Sequence, residues 1–296
     1  MRRKVWVDTL FMLPCLLAFT LVIICPFFLG IFYSMTDWNG VSNVVNFVGF
    51  KNFVGMFKSP AFGYSFLIPI EYTVINVILV NVVSFFLSLL ATSRVRLRNL
   101  YRAGFFVPNL IGGIVLGYIW QFLFNNVFTM MGNSLGLSFM QNSMLSSPGT
   151  VIWAMSFVNT WQYAGYIMMI YVASIQSVPD SVMEAASVDG ATYFTRLRKI
   201  LIPMMASAFT ISLFLTLTNS FKQFDMNLTL TNGGPAFRFM GTPVKSSQLL
   251  AMNIYDTAMG ENKMAEGQAR SVVFFLVLVV FSLVQVYFNK KKEVEM

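Results

Sequence analysis

Six apolar runs, each close to the ~20 residues needed to cross the hydrocarbon core of a bilayer, constrain this chain more than any other feature. They lie at about 9–32, 67–91, 104–124, 151–174, 203–221 and 270–289. No water reaches backbone N–H and C=O groups at that depth, so such runs close their hydrogen bonds internally as helices. The expected fold is an all-α polytopic membrane protein with six transmembrane helices. Composition agrees, with 56% hydrophobic and 11% charged residues against about 25% charged in a typical soluble domain. The first run follows MRRKVWV, which is like the basic start of a secretory signal. It extends to about Ile31, beyond the ~7–15 apolar residues of a signal, and is read as a retained span.

Lys and Arg set the orientation. Arg2, Arg3, Lys4, Arg94, Arg96, Arg98, Arg102, Arg196, Arg198, Lys199, Lys290, Lys291 and Lys292 all fall on alternate, short connecting segments. The positive-inside rule puts those segments, with both termini, in the cytoplasm. The net charge of +8 is thus a record of topology and not a nucleic-acid footprint. The chain reads as one membrane domain in three stretches. Residues 1–66 hold the first span and first outer loop, 67–289 the core with a cytoplasmic loop at 177–203, and 290–296 a basic tail.

Several chemistries are excluded. There is no His, and the two cysteines, Cys15 and Cys25, sit inside the first apolar run as free thiols, so no Cys/His metal site can form. A phosphate-cradling GxxxxGK[ST] loop does not occur, and the spans carry no paired carboxylates. The chain is expected to bind no cofactor and to catalyse no reaction itself.

The cytoplasmic loop, PDSVMEAASVDGATYFTRLRKILIP, carries helix signals. Ser181 and Glu184 have the spacing of a capping box, and Gly190 stands where a left-handed residue would close a helix of about two turns. A helix that short is unstable alone and must be held by the spans or a docking partner. A second helical stretch runs from Thr192 towards Ile202, ahead of Pro203.

Polar residues inside the membrane are costly and face a cavity or another helix. Asn159, Gln162, Tyr163 and Tyr166 stand at i, i+3, i+4 and i+7 of the fourth run, on one face. Ser212, Thr216, Asn219 and Gln223 form a second stripe in the fifth. Amides with Tyr rings suit a sugar, whose edge presents hydroxyls and whose faces present C–H. Asn159, Gln162, Tyr163, Tyr166, Thr216 and Asn219 are the candidate pathway residues, with interhelical hydrogen bonding as the alternative role. In the second run Thr73, Asn76, Asn81, Ser84 and Ser88 share an arc, and Glu71 lies off it near the outer boundary.

The sequence EAASVDGA followed by ILIP resembles the EAA loop of ABC importer permeases. Glu184-Ala185-Ala186, Gly190, Ile200 and Pro203 take the motif positions, with Ile202 where Leu is usual. FMLPCLLAF, NFVGFKNF at 46–53, YRAGFFVP at 101–108, GYIW at 117–120 and FDMNLTLTNGGP at 224–235 are similar to the carbohydrate-uptake branch. They are closest there to its first permease, the type related to the maltose and glycerol-phosphate systems. Glu71-Tyr72-Thr73 departs from the Asn-Thr usual near the second span.

The resemblance implies a type I ABC importer permease in the bacterial inner membrane, carrying a sugar or related polyol by alternating access. It implies a second six-helix permease subunit, two cytoplasmic ATPase subunits that bind ATP and Mg, and an extracytoplasmic solute-binding protein. Glu184, Ala185, Ala186, Asp189, Gly190, Ala191, Ile200 and Pro203 would then form the ATPase-coupling loop. Glu184 is open to two roles, capping the helix and touching the ATPase. A stand-alone ion-coupled transporter is the other reading; it calls for buried charge and broken helices in matching halves, and only Glu71 hints at the former.

Overall fold

The structure is a computed structural model that describes residues 2–93 and 96–290. Arg94, Lys291, Lys292 and the rest of the tail after Lys290 lie outside the described residues. Helix α1 (Arg2–Phe19) passes through a widened π turn at Thr20–Ile24 into α2 (Cys25–Ser34). The short α3 (Lys51–Phe57) precedes α4 (Pro60–Thr92), which starts with proline at its first position and Ser59 Oγ accepting the Phe62 N–H. Next come α5 (Arg98–Phe106), a 3₁₀ turn at Val107–Leu110, α6 (Gly113–Phe122), and α7 (Phe128–Leu135) beyond a second π turn.

Helix α8 (Pro148–Ser177) also opens on proline, and ends where Val178, ahead of Pro179, is pushed into an extended conformation. Then follow α9 (Asp180–Val188), α10 (Tyr193–Arg196), α11 (Ile202–Met204) and α12 (Ala206–Phe221). The chain finishes with α13 (Asp225–Leu230), an antiparallel hairpin of β1 (Ala236–Phe239) and β2 (Thr242–Lys245), α14 (Leu250–Tyr255) and α15 (Met264–Lys290).

Four stretches among the described residues are long and apolar enough to cross a membrane: Phe11–Ser34, Pro60–Thr92, Gly113–Leu135 and Met264–Gln285. The pair Tyr193–Met204 and Ala206–Phe221, bent by 67° at Met205, adds a fifth. Helix α8 has the length, at 30 residues, but its polar stripe dilutes its apolar character.

The second, third and last spans have bounds that differ from the sequence reading. The third span does not run 104–124. Pro108 lacks an N–H and restricts the residue before it, so the helix breaks after Phe106 and resumes at Gly113, ending at Leu135. The second span starts earlier, at Pro60, where Tyr64 bonds the Ser246 carbonyl, and the last at Met264, where the Ala265 N–H bonds the Trp38 carbonyl.

Helices α4 and α8 lie side by side and parallel. Asn76 meets Asn159, Ser84 Oγ donates to the Ala164 carbonyl at 2.8 Å, and Ala91 packs with Met168 and Val172. Helix α12 runs antiparallel to α4, with Asn76 bonded to Ser220 and Asn81 to Thr216. One apolar core gathers Tyr72, Trp120, Phe124, Met155 and Leu249; a second gathers Val80, Ile167, Tyr171, Leu201 and Met205.

The burial pattern is inverted relative to a water-soluble bundle. Asn76, Ser84, Ser88, Asn159, Ser212, Thr216 and Ser220 are buried, while Phe28, Phe86, Phe122 and Val280 are exposed. Lipid tails are as apolar as those side chains, so close packing and interhelical hydrogen bonds hold the helices together.

Candidate functional site

The end of α12 and the break in the third span together shape a polar cavity of about 310 Å³. Helix α8 contributes Gln162 and Tyr163, and the last turn of α12 contributes Asn219. That helix closes at Lys222, whose N–H reaches the Thr218 carbonyl, and the chain then turns through Phe224 into α13. The turn places Lys222, Gln223, Phe224 and Asp225 at the cavity. Asn109 and Gly113 complete the wall from either end of the helix break. Amides, a phenol, an ammonium and a carboxylate therefore share one space with the Phe224 ring. Such a lining has the chemistry to hydrogen-bond hydroxyl groups and to stack an aromatic ring on an apolar C–H face.

The six candidate pathway residues separate into three environments. Gln162, Tyr163 and Asn219 line the cavity. Asn159 and Thr216 do not: Asn159 Oδ1 accepts from the Asn76 amide at 3.0 Å, and Thr216 Oγ1 accepts from Asn81 at 3.0 Å while donating to the Ser212 carbonyl at 2.8 Å. Tyr171 joins the same network, donating to Asn81 Oδ1 at 2.6 Å. Tyr166 borders a separate, mainly apolar hollow with Arg102, Phe106 and Met169, its ring 5.3 Å from that of Tyr163. One helical face is wide enough to meet a neighbouring helix along one edge and a cavity along the other, which periodicity alone does not resolve.

Asn109, Gly113, Lys222 and Asp225 were not singled out from sequence. The available signal was the breaker pair Pro108 and Gly112-Gly113 inside an apolar run, because interrupted helices place backbone and polar groups at membrane binding sites. A second missed group lies at the end of the bundle near the hairpin. Arg270, almost fully buried, donates to Glu266, Asn253 and Thr257 and stands 5.6 Å over the Phe62 ring. Asn253 and Ser65 extend the network to Gln248, which with Lys245 reaches Asp256.

The loop helix α9 spans nine residues, Asp180–Val188. Its expected capping box does not form. Pro179 is the N-cap, Ser181 lies inside the first turn, and no side chain caps that end. The proline imposes the extended entry and α9 begins two residues earlier than the box would have it, so Ser181 is past the position from which it could cap.

The other end closes by a Schellman motif. Asp189 is the C-cap, Gly190 has φ +78°, and its N–H reaches the Ser187 carbonyl at 3.1 Å. The Ala191 N–H reaches the Ala186 carbonyl at 2.9 Å. Arg196 donates to Ser187 Oγ at 2.6 Å, tying α9 to α10, which Thr192 caps by accepting the Thr195 N–H. Ile200 falls in the π turn Leu197–Leu201 and Pro203 in α11, the joint before the 67° bend. Ala186 is buried within the chain, whereas Glu184, Ala185 and Val188 face outward, Val188 at 86% exposure.

A bundle of apolar helices with a polar cavity and an exposed, rigidly closed loop helix defines a membrane permease that works with a partner. The chain belongs to the family of binding-protein-dependent transport system inner membrane components, whose match covers residues 82–294. A relative in Thermoanaerobacterium thermosulfurigenes, the probable starch degradation products transport system permease protein AmyD, is 41% identical over 97% of this chain and 95% of its own. The multiple sugar-binding transport system permease protein MsmF of Streptococcus mutans is 26% identical over 99% of this chain and 98% of its own. Among solved structures, a bacterial ABC transporter involved in the import of the acidic polysaccharide alginate has the same fold, with a TM-score of 0.80 at 18% identity over 98% of this chain and 96% of that one. Within such a system the chain is an importer permease, and ATP hydrolysis is the work of a separate subunit. The reading as a stand-alone ion-coupled transporter is thereby set aside.

Proposed function

We propose that this permease carries a sugar, either a mono- or oligosaccharide or a related polyol, through the cavity lined by Gln162, Tyr163 and Asn219. The single observation that supports it is the convergence of those side chains with Lys222, Gln223 and Asp225 in one polar space inside an otherwise apolar bundle. The starch degradation products in the name of the 41% relative make short glucans the first solutes to test.

In this reading α8 is a sixth span beside the five apolar ones, both termini face the cytoplasm, and the membrane is the bacterial inner membrane. The permease pairs with a second six-helix subunit. It receives solute from an extracytoplasmic binding protein and rests its cytoplasmic face on two ATPases that hold ATP and Mg. Helix α9, with Glu184, Ala185, Ala186, Asp189, Gly190 and Ala191, is the coupling element. Ile200 and Pro203 form the joint through which its movement reaches α12. Closure of the ATPases displaces α9, and the bundle turns the cavity from the outer face to the inner one.

Purified with its partners in liposomes, the complex is expected to accumulate labelled maltooligosaccharide only with internal ATP and external binding protein. Uptake driven by an ion gradient without ATP, or ATP-driven uptake that ignores every sugar and polyol offered, overturns this assignment.

A further inference from the structure

The wall of the cavity contributed by the third span is not helical, so something other than the helical ladder must hold it in place. Regular bonding in α6 begins with the Leu116 N–H on the Gly112 carbonyl at 3.0 Å, which leaves the Ile111 carbonyl ahead of the ladder. Pro108 has no N–H to contribute. The Ile111 carbonyl instead accepts from Gln162 Nε2 of α8 at 2.8 Å. A carbonyl can only accept, so the amide nitrogen must be the end of Gln162 that faces it, which settles the orientation of the side chain.

One turn further along α8, Gly165 lies so close to the other end of the bend that a Cβ there would collide with the Phe105 carbonyl oxygen and carbon. Gln162 and Gly165 are three residues apart, on one face. They grip the bend from both sides: Gly165 by admitting the end of α5, Gln162 by bonding Ile111 just ahead of α6. Asn109 lies between the two grips and Gly113 just beyond, and both line the cavity. Gly113 in turn abuts α13, where a Cβ would stand 2.8 Å from Asp225 Cβ.

We propose that Gln162 is a positioning residue of the transport site: with Gly165 it seats the bend at 107–112 against α8 and so sets where Asn109 and Gly113 stand in the cavity wall. This rests on the reading of the cavity as the solute pathway. It adds that the bend is an element with its own latch, distinct from the coupling helix. Gln162 then acts on the solute chiefly through the wall it holds, and losing its amide loosens the wall even when no solute is present.

The test is amide hydrogen exchange over 107–116 in the complete, solute-free complex in lipid nanodiscs. Gln162→Glu sets a carboxylate oxygen against the Ile111 carbonyl, and Gln162→Met removes the donor at similar length. Both are expected to speed exchange by about tenfold, the scale of one lost hydrogen bond, at the Ile111 and Leu116 amides, which bond the Pro108 and Gly112 carbonyls across the bend, with exchange in α15 unchanged. Gly165→Ala is expected to act in the same direction; should it fail to assemble with the ATPase, the two Gln162 variants decide alone. Wild-type exchange in both Gln162 variants overturns the proposal, whatever happens to transport, and leaves Gln162 as a solute ligand at most. Because no solute is present, an error in the sugar assignment appears only as absent uptake by the wild-type complex and not in the exchange rates.

Discussion

Asn159 Oδ1 on α8 accepts the Asn76 amide of α4 at 3.0 Å, inside the bundle and away from the cavity lined by Gln162 one turn further on. The same Asn76 amide reaches Ser220 Oγ of α12 at 2.6 Å, so one side chain ties three helices. A structural tie and a cavity-lining residue thus stand three residues apart on one helical face.

Substitution separates the two roles. Asn159→Leu leaves the Asn76 amide only its Ser220 partner and is expected to cost about 1–2 kcal/mol, lowering the thermal midpoint of the purified complex while the apparent KM for uptake stays within about twofold. Asn219→Ala is expected to do the reverse, raising KM about tenfold with little change in midpoint, as loss of one or two hydrogen bonds to a bound hydroxyl implies. An Asn159 variant with normal stability and a raised KM would move that residue into the pathway.

Arg270 and Glu266 form an i,i+4 pair whose arginine is almost wholly buried. Glu266→Ala leaves that guanidinium with neutral partners only, and is expected to cost about 3–5 kcal/mol in thermal unfolding. Replacing both residues with methionine is expected to recover most of the loss, since the remaining charge is the source of the penalty. Equal destabilisation in the single and double variants would instead place the energy in the Asn253 and Thr257 bonds.

The outward face of α9 carries Val188, and the helix ends on a left-handed Gly190. Val188→Asp is expected to abolish ATP-coupled uptake while membrane insertion and the midpoint persist. Gly190→Val forces a β-branched residue to positive φ at a cost of about 1–2 kcal/mol, and is expected to uncouple transport by loosening the helix end. Ala186→Glu acts differently, because Ala186 packs within the chain, and is expected to lower the midpoint as well. Transport with unchanged ATPase stimulation in Val188→Asp would reduce α9 to a connector.

The loop at 37–46 contains a group with a defined response to acid. Asp37 accepts from the Asn46 side chain at 3.0 Å and from its backbone N–H at 2.8 Å; these bonds, helped by Lys51, hold its carboxyl below the ordinary aspartate value. A lowered folded value means that the local stabilisation is complete above about pH 4 and disappears as pH falls through the folded value. Trp38, stacked on Tyr33 at 4.5 Å, reports the change. A variant keeping Trp38 as its single tryptophan is expected to show an acid fluorescence transition that Asp37→Asn removes; the same transition in both would assign it elsewhere.

Run length carries the placement of the helices in this chain. Lipid removes any alternative partner for the backbone, so apolar length alone predicts where helices form, and the helices at the first, second, fourth, fifth and last runs follow it. Gly190 was equally legible, because a helix end that needs positive φ has few residues to choose from.

Tertiary structure decided what those local rules leave degenerate. Pro108 marks a break, but its place at the cavity wall depends on Gln162 and Gly165, which lie more than fifty residues further along the chain and meet it only when α8 packs beside α5. Ser181 and Glu184 have the spacing of a box, yet Pro179 starts the helix first. Asn159 and Gln162 share a stripe, and only the arrival of α4 on one side and of the broken span on the other makes the first a helix tie and the second a cavity residue. Periodicity names a face; the neighbour that arrives determines what that face does.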